Sequence, residues 1–336
     1  MDSHPRLHSC FDGINPQDAA NDAQCMEILS AYTAVKVIGI GGTGIALLVT
    51  YTDDGGKTHS GLVVKLMENN AKTQKEIIRY CNVDRMIISN QDSNWAPMFN
   101  RTFGWTTCDS IPTQWKDTIQ KHLNKNKLTF ANIPDISKIV FCLVTPYRGM
   151  ALWDVRFRDE IKCLQVVFEL MYALREAYRN SNFMHNDLSA ANVVYMEEMT
   201  TGSRNYIVRN RVYEIYGVSR ITIIDFGHSE FTDEYHELYG YPRGVDKFLR
   251  SLKEFYPNFS FIDALIGADS FDQILTSDVF DVLILKEPPK PVGNMCFVCF
   301  REGTQMFQHI PSYKFCNSSS CVKKIGPIAH IIKKDL

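Results

Sequence analysis

The chain of 336 residues lacks a long apolar run, a strong net charge and an apolar leader segment. Its run Ile139–Val144 has only the length of a strand, whereas a membrane-spanning helix needs about 20 apolar residues. The formal net charge of -2 gives no support for general nucleic-acid binding. Residues 1–21 are polar and carry no signal-peptide core. We therefore expect a folded protein that is neither secreted nor held in a membrane.

The ten cysteines are interpreted in the light of that missing leader. A protein that does not enter the secretory pathway stays in a reducing compartment, so we expect a cytoplasmic or nuclear location. Cysteines in such proteins are usually thiols or metal ligands. We therefore expect no disulfide framework.

A glycine-rich segment lies between two strand signals, Val35–Ile38 and Leu47–Thr52. The glycines that fit the pattern G-x-G-x-x-G are Gly39, Gly41 and Gly44. The same pattern marks dinucleotide-binding folds, but there it opens a helix, whereas a strand and a hairpin follow here. The segment therefore predicts a flap whose backbone N–H groups cover phosphate.

Lys65 comes near the end of a third strand signal, Gly61–Leu66, and is expected to project into an enclosed site. A lysine there suits the α- and β-phosphates of ATP. The alternative is an edge-strand lysine that extends into solvent. The next segment, 71–88, predicts a helix, and an acid on it could pair with Lys65. Glu76 is the first choice for that acid and Asp84 the second.

A short polar segment joins an amphipathic helical pattern over 158–179 to a strand signal at 193–195. It contains His185, Asp187 and Asn192 in the pattern H-x-D-L-x-x-x-N, a catalytic-loop signature of phosphoryl transfer. An aspartate there can accept a proton from an attacking hydroxyl, and an asparagine offers a neutral oxygen to a hard cation. Taken alone, the segment would also fit an ordinary polar turn.

A further strand signal, Ile221–Ile224, leads directly into Asp225, Phe226 and Gly227. An aspartate at such a strand end can bind a metal ion that bridges phosphates. The phenylalanine can pack beneath it, and the glycine permits the backbone to turn. A generic strand-end turn is the alternative.

The polar segment 145–149 follows a buried strand signal and would link two lobes. Such a link can hydrogen-bond an adenine edge through its backbone. Pro146 offers a carbonyl without a donor, so we expect a neighbouring N–H to serve.

These motifs, in this order, resemble the protein-kinase-like superfamily over about residues 34–255. The resemblance implies a small sheet lobe, a larger helical lobe and Mg-ATP in the cleft between them. It also implies a role for each motif residue: Gly39, Gly41 and Gly44 cover the phosphates, Lys65 holds them, Asp187 is the catalytic base, and Asn192 and Asp225 bind Mg²⁺. Asp246 is similar to a helix acid that supports the catalytic loop.

Three departures from regulated serine/threonine kinases bear on regulation and on the acceptor. Asn186 replaces an arginine that binds a phosphorylated activation segment, so no such switch is expected. Ser189 replaces a lysine that neutralises the transferring phosphate. No Ala-Pro-Glu motif follows Gly227, and only about twenty residues separate it from Asp246. The sequence resembles both choline or aminoglycoside kinases and the short, divergent kinases of large DNA viruses, and Asp-Phe-Gly favours the latter.

The last part of the chain carries a pair of cysteine motifs after a proline-rich joint at 288–291. The cysteines are Cys296 and Cys299 in C-x2-C, and Cys316 and Cys321 in C-x4-C. Two such pairs can complete a tetrahedral structural zinc site, and His309 could replace one ligand. Scattered buried thiols are the alternative.

The sequence thus predicts an α+β, bilobal protein-kinase-like fold with a small cysteine-rich module. We expect a loosely packed extension at 1–30, a sheet lobe at 31–145, a helical lobe at 146–287 and a zinc module at 292–336. The predicted activity is ATP- and Mg²⁺-dependent phosphoryl transfer to a protein hydroxyl in a host cell or virion. A small-molecule kinase, and a pseudokinase scaffold that binds partners through its cysteine-rich end, are the alternatives.

Overall fold

A computed structural model gives the fold and confirms the α+β class. It describes residues 7, 10, 22–53, 56–68, 70–127, 140–197, 203–209, 211–216, 219–232, 244–284, 306–310 and 313–316. The helices are α1 (Asp22–Ser30), α2 (Ala71–Ser89), α3 (Thr113–Lys125), α4 (Glu160–Ser181), α5 (Val245–Phe255), α6 (Ser260–Leu265) and α7 (Phe271–Leu275). The strands are β1 (Tyr32–Gly41), β2 (Gly44–Thr52), β3 (Thr58–Glu68), β4 (Gly104–Cys108), β5 (Val140–Pro146), β6 (Met150–Ala151), β7 (Phe183–Met184), β8 (Val193–Glu197), β9 (Ser203–Val208), β10 (Arg211–Tyr216), β11 (Ser219–Ile223), β12 (Glu230–Phe231), β13 (Met306–Ile310) and β14 (Tyr313–Cys316). Among these elements, no helix combines the length and apolarity needed to cross a membrane.

The first half of the chain forms a five-stranded antiparallel sheet in the order β1-β2-β3-β5-β4. Buried and partly exposed residues alternate along β2, as expected for a strand that turns one face to a core. The antiparallel neighbours β1, β2 and β3 follow one another in the chain, so short turns suffice to join them. The sheet confirms the strand signals of this half, and β1 and β3 extend beyond theirs at both ends.

Helices α1 and α3 close an apolar core on one side of this sheet. The side chain of Trp115 is fully buried there and donates from Nε1 to the carbonyl of Tyr32 at 3.0 Å. Gln114 acts as an additional partner of strand β1, since it accepts from Ala34 N at 3.1 Å and donates to Ala34 O at 2.8 Å. An edge strand with satisfied backbone groups is protected from pairing with other chains.

The N-terminal extension is better packed than its sequence predicts. Cys25 and Leu29 of α1 are fully buried, and the helix packs against β4 and β1. The expectation of a loosely packed segment is therefore wrong for α1, in which Cys25, Ile28 and Leu29 are buried and only Met26 of the larger apolar residues is exposed.

Two disulfides attach this extension to the rest of the chain, Cys10–Cys81 to helix α2 and Cys25–Cys108 to strand β4. The bonded residues are 71 and 83 positions apart in the sequence. The expectation that the cysteines stay unpaired is wrong for these four, because packing of the extension brings buried cysteines side by side. Cys163 is a buried free thiol.

Helix α2 begins and ends close to the predicted bounds. Asn70 is its N-cap, and its side chain accepts from the backbone N–H groups of Lys72 and Thr73. The hydroxyl of Thr73 in turn accepts from the Asn70 N–H, which completes a reciprocal capping box. The buried side of α2 belongs to a second, larger apolar core that continues into α4. The helix therefore connects the sheet half to the helical half.

Helix α4 is almost entirely buried and confirms the predicted amphipathic helix over 158–179. Asp159 caps its first turn by accepting from Ile161 N at 2.9 Å. At its end Asn182 adopts a left-handed conformation, φ +54, which asparagine tolerates better than most residues. This cap turns the chain into β7 and delivers it to His185.

After β8, strands β9 and β10 form an antiparallel hairpin. It is fixed to α4 through Glu169, a fully buried carboxylate that accepts a hydrogen bond from Tyr206 and pairs with Arg204 at 3.0 Å. Burial raises the pKa of Glu169, while Arg204 and Tyr206 oppose that shift. The hairpin is thus held to the core by a buried polar contact as well as by apolar packing.

The predicted zinc module lies mostly outside the described residues. Strands β13 and β14 pair as an antiparallel hairpin that ends at Cys316. The side chain of Cys316 and the whole of Cys296, Cys299 and Cys321 fall outside the described part of the chain.

Candidate active site

The glycine segment forms the tip of the β1–β2 hairpin, where Gly41 pairs with Gly44. A side chain at Gly44 is excluded, because an added Cβ would lie 2.4 Å from the carbonyl oxygen of Leu66. Around Gly41 and Gly42, in contrast, an added Cβ would meet nothing within 4 Å. Gly44 therefore serves the packing of β2 on β3, whereas the tip keeps open space beside its backbone N–H groups.

Lys65 lies at the centre of a partly buried cluster of ion pairs, in which the side chain of Glu76 is 2% exposed and that of Asp225 40%. Its Nζ lies 2.5 Å from Glu76 Oε1 and 3.0 Å from Asp225 Oδ1. The structure thus pairs Lys65 with Glu76, the first choice made from the sequence. Asp84, the second choice, instead accepts from Arg101 Nε at 3.1 Å and lies outside this cluster.

Tyr80 completes the cluster and was not anticipated from the sequence. Its hydroxyl donates to Asp225 Oδ1 at 3.2 Å, and its ring lies 5.6 Å below the ammonium of Lys65. Tyr80 follows Glu76 by four residues, so both side chains point to the same side of α2. That four-residue spacing is the sequence feature from which a role for Tyr80 beside Glu76 could have been predicted.

The electrostatics of the cluster keep Lys65 protonated and Asp225 ionised. Burial alone would lower the pKa of Lys65, but Tyr80, Asp225 and Glu76 outweigh it and raise that pKa above its ordinary value. Burial would raise the pKa of Asp225, yet the adjacent Lys65 lowers it below the usual range. The cluster is therefore a lysine cation between two acids at neutral pH.

The Asp-Phe-Gly segment is fixed from both sides. Asp225 has φ +62, a left-handed conformation that is unusual outside glycine and asparagine. Phe226 is fully buried and packs edge-on against Tyr80, with ring centroids 5.4 Å apart. A Cβ at Gly227 would lie 2.9 Å from the Glu76 carboxyl carbon, so a side chain there would displace the carboxylate that pairs with Lys65. Arg79 secures the turn by donating to the Gly227 carbonyl.

The loop from His185 to Asn192 is tied to the strand that precedes Asp225. His185 is fully buried, and its Nε2 lies 2.9 Å from the carbonyl of Ile224. Its Nδ1 accepts from the backbone N–H of Asp187 at 3.4 Å, which defines a neutral ring with the proton on Nε2. Burial lowers the pKa of His185, and the hydrogen bond and nearby aspartates oppose this only in part.

Asn186, which replaces an arginine of regulated kinases, has φ +59. Asparagine suits this left-handed conformation because its short polar side chain costs less there than most others. The side chain is therefore compatible with the backbone turn that presents Asp187.

Asn192 connects the loop to the Asp-Phe-Gly segment. Its side-chain Nδ2 donates to the carbonyl of Asp187 at 2.8 Å, and its own carbonyl accepts from Ile224 N at 3.0 Å. These bonds orient the amide and place Asn192 beside the residue that precedes Asp225. An amide oxygen and a carboxylate oxygen are hard donors of the kind that Mg²⁺ takes from proteins, together with phosphates and water.

One sequence expectation near the Asp187 loop differs from the structure. The Asp246 carboxylate is hydrogen-bonded away from that loop, since it accepts from Arg250 Nε at 2.6 Å and from Gly267 N at 3.2 Å. In the link that follows β5, Tyr147 N donates to Gly61 O at 2.6 Å, and Pro146 O accepts from Asn100. Tyr147 N is thus occupied, whereas Pro146 O keeps a second lone pair, and an adenine contact in this link stays a prediction.

Lys247 is the second residue of the site that the sequence did not reveal. Its Nζ lies 3.6 Å from Asp187 Oδ1, across from the loop on the first turn of α5. No motif marks it, because α5 follows the loop by more than fifty residues and its placement is a tertiary effect.

Within the described part of the chain, no group of three or more His, Cys, Asp and Glu side chains gathers as a metal site. The predicted zinc ligands lie outside that part, apart from the backbone of Cys316.

A search with protein-family models finds no match to this chain. A search of curated proteins finds no significant match either. The geometry of the site therefore carries the functional interpretation.

Proposed function

We propose that the protein is an ATP- and Mg²⁺-dependent phosphotransferase, and more specifically a divergent serine/threonine protein kinase similar to those of large DNA viruses. The observation that carries the proposal is the single cluster in which Lys65 bridges Glu76 and Asp225. The Asp187–Asn192 loop is bonded to the residue just before Asp225. The hydrogen bonds that join these segments support a site in which a phosphate-holding cation, two metal-binding oxygens and a base would act together.

Each residue then has a defined task. Lys65 would hold the α- and β-phosphates, with Glu76 fixing its direction. The backbone at the β1–β2 tip would cover the phosphates from above. Asn192 and Asp225 would hold Mg²⁺, which neutralises phosphate charge when bound. Asp187 would accept the proton of the acceptor hydroxyl as that oxygen attacks the γ-phosphorus.

The acceptor separates this proposal from its nearest alternative. Ser189 and the short segment between Gly227 and Asp246 favour a small-molecule kinase, because both remove features that protein kinases use at their substrate. A pseudokinase scaffold, with Cys296, Cys299, Cys316 and Cys321 holding zinc in a binding module, would not need Asp187 as a base.

The test is incubation with γ-labelled ATP and Mg²⁺, with protein mixtures and with small hydroxylated metabolites as acceptors. We expect label on protein serine or threonine, lost in Asp187→Ala. The matched control is Asp263→Ala, which removes an exposed aspartate of the same half that pairs with Lys253. Transfer to small acceptors only would replace the protein-kinase proposal, and nucleotide binding without any transfer would favour the scaffold.

A cytoplasmic or nuclear location is also part of the proposal, and the two disulfides weigh against it. Peptide mapping of protein alkylated inside cells separates the possibilities. Reduced Cys10, Cys25, Cys81 and Cys108 would agree with a reducing compartment, whereas protected pairs would require an oxidising one.

A further inference from the structure

The catalytic loop lacks a cation that could face a transferring phosphate. Between His185 and Asn192 the sequence contains no lysine or arginine. His185 is buried with a lowered pKa and uses both ring nitrogens on backbone partners, so it supplies no positive charge. Phosphoryl transfer nevertheless spreads negative charge over the moving oxygens, and this charge must be stabilised near the base.

Lys65 does not fill this gap. Its ammonium pairs with Glu76 and Asp225, and in the proposed function it holds the α- and β-phosphates. The transferring phosphoryl group therefore needs a second cation close to Asp187.

Helix α5 brings one there. Gly244, with φ +138, lies against the loop, since a Cβ at this position would be 3.3 Å from Leu188 N. This close approach fixes the start of α5 beside the loop and sets the place of Lys247 three residues later. Among the described residues, Lys247 is the cation that lies within 4.0 Å of the Asp187 carboxylate.

The contact has the properties of an exchangeable pair. The Nζ to Oδ1 distance of 3.6 Å is longer than a hydrogen bond. The side chain of Lys247 is 70% exposed and that of Asp187 38%. Such an exposed pair contributes little to the stability of the fold. A structural role therefore does not account for the position of Lys247. Its lysine can leave the carboxylate when a more highly charged phosphate enters.

We propose that Lys247 is a catalytic residue that contacts the oxygens of the transferring phosphoryl group and supplies from α5 the cation missing from the loop. The inference rests on the proposed phosphotransferase function. In the reaction the acceptor oxygen forms a bond to the γ-phosphorus and the bond to the β-phosphate oxygen breaks, releasing ADP. The acceptor proton passes to Asp187, while Lys247 keeps its protons and stabilises charge.

The experiment measures kcat and the KM for ATP with γ-labelled ATP and the acceptor found for the wild type. Lys247→Met should lower kcat about 10- to 100-fold with little change in KM for ATP, because the contact is made to the moving phosphate. Lys247→Arg should retain most of the rate. The matched control is Lys253→Met on the same helix, which breaks a pair with Asp263 at 2.6 Å and should leave kcat unchanged.

A rescue variant separates catalysis from structure. Adding Ser189→Lys to Lys247→Met returns a cation to the loop and should recover about tenfold in kcat, which repair of packing would not produce. A Lys247→Met enzyme within twofold of wild type, a faster one, or a loss that Ser189→Lys does not relieve would overturn the role of Lys247. If the wild type transfers no phosphate, the proposed function falls and this inference with it.

Discussion

The cluster around Lys65 and the loop around Asp187 belong to one site but are held in different ways. Glu76 is 2% exposed and Lys65 17%, and their ammonium–carboxylate contact is short. Asp187 is 38% exposed, and its cation partner Lys247 is 70% exposed at a longer distance. The comparison teaches that Lys65 and Glu76 are held by burial and a short contact, although Asp225 of the same cluster is 40% exposed, whereas the ion pair of Asp187 is both long and open to solvent.

The largest effect on activity should come from a substitution that disrupts the Lys65 cluster without unfolding the protein. Glu76→Gln keeps the shape of the side chain but removes the charge that directs Lys65. Lys65 then pairs with Asp225 alone, which diverts both from phosphate and metal. We expect kcat/KM to fall about 100-fold, while Asp225 still compensates the buried cation and limits the loss of stability.

Asp84→Asn is the matched variant, since Asp84 is also a buried acid of α2 but pairs with Arg101 and accepts from Thr102 N at 3.2 Å. It should lower the free energy of unfolding by about 1–2 kcal/mol and leave kcat within threefold. Urea unfolding and steady-state rates measure both quantities. Equal kinetic losses in the two variants would show that Glu76 acts only through folding.

Local sequence patterns predicted much of this architecture. The apolar periodicity of segment 158–179 predicted α4, and the pattern of segment 71–88 predicted α2, which begins after the N-cap Asn70. Glu76 could be chosen because a helix that follows a strand with Lys65 can carry a partner for it. These features depend on residues near one another in sequence, which is why pattern and propensity sufficed.

What the sequence did not reveal depends on distant contacts. Lys247 reaches Asp187 only because Gly244 lets α5 approach Leu188, and no local pattern encodes that approach. The two disulfides likewise join residues far apart, after packing of α1 and of Cys10 has buried both partners. A flexible extension was expected because α1 is short and weakly amphipathic, and its stability comes from tertiary packing.

The glycines of the β1–β2 tip test a smaller contrast, between a residue needed for packing and a residue needed for ligand access. Gly44→Ala forces a methyl group against the Leu66 carbonyl and should lower the free energy of unfolding by about 2 kcal/mol. Gly41→Ala meets open space, so it should leave stability unchanged and instead raise the KM for ATP, because the methyl group would stand where phosphate is covered. Thermal unfolding and ATP titration of both variants measure this. A stability loss at Gly41, or none at Gly44, would contradict the assignment of packing to one glycine and ligand access to the other.

The smallest expected effect concerns His185, the buried support that joins the open loop to the strand before Asp225. Its pKa is lowered by burial, so the unfolded chain, whose histidine titrates near about 6.5, takes up the proton first as pH falls. The stabilising contribution of neutral His185 is thus complete above that pH and is lost progressively below it. Protonation would also place a proton on Nδ1, where the Asp187 N–H now donates, and so loosen the position of Asp187.

The measurement is urea unfolding at about pH 7.5, 6.5 and 5.5. The free energy of unfolding should fall more steeply with decreasing pH in the wild type than in His185→Gln. The control His122→Gln changes a histidine of α3 and should keep the wild-type slope. An unchanged slope in His185→Gln would mean that other groups govern the acid sensitivity, and that the loop is less dependent on its buried histidine than the Lys65 cluster is on Glu76.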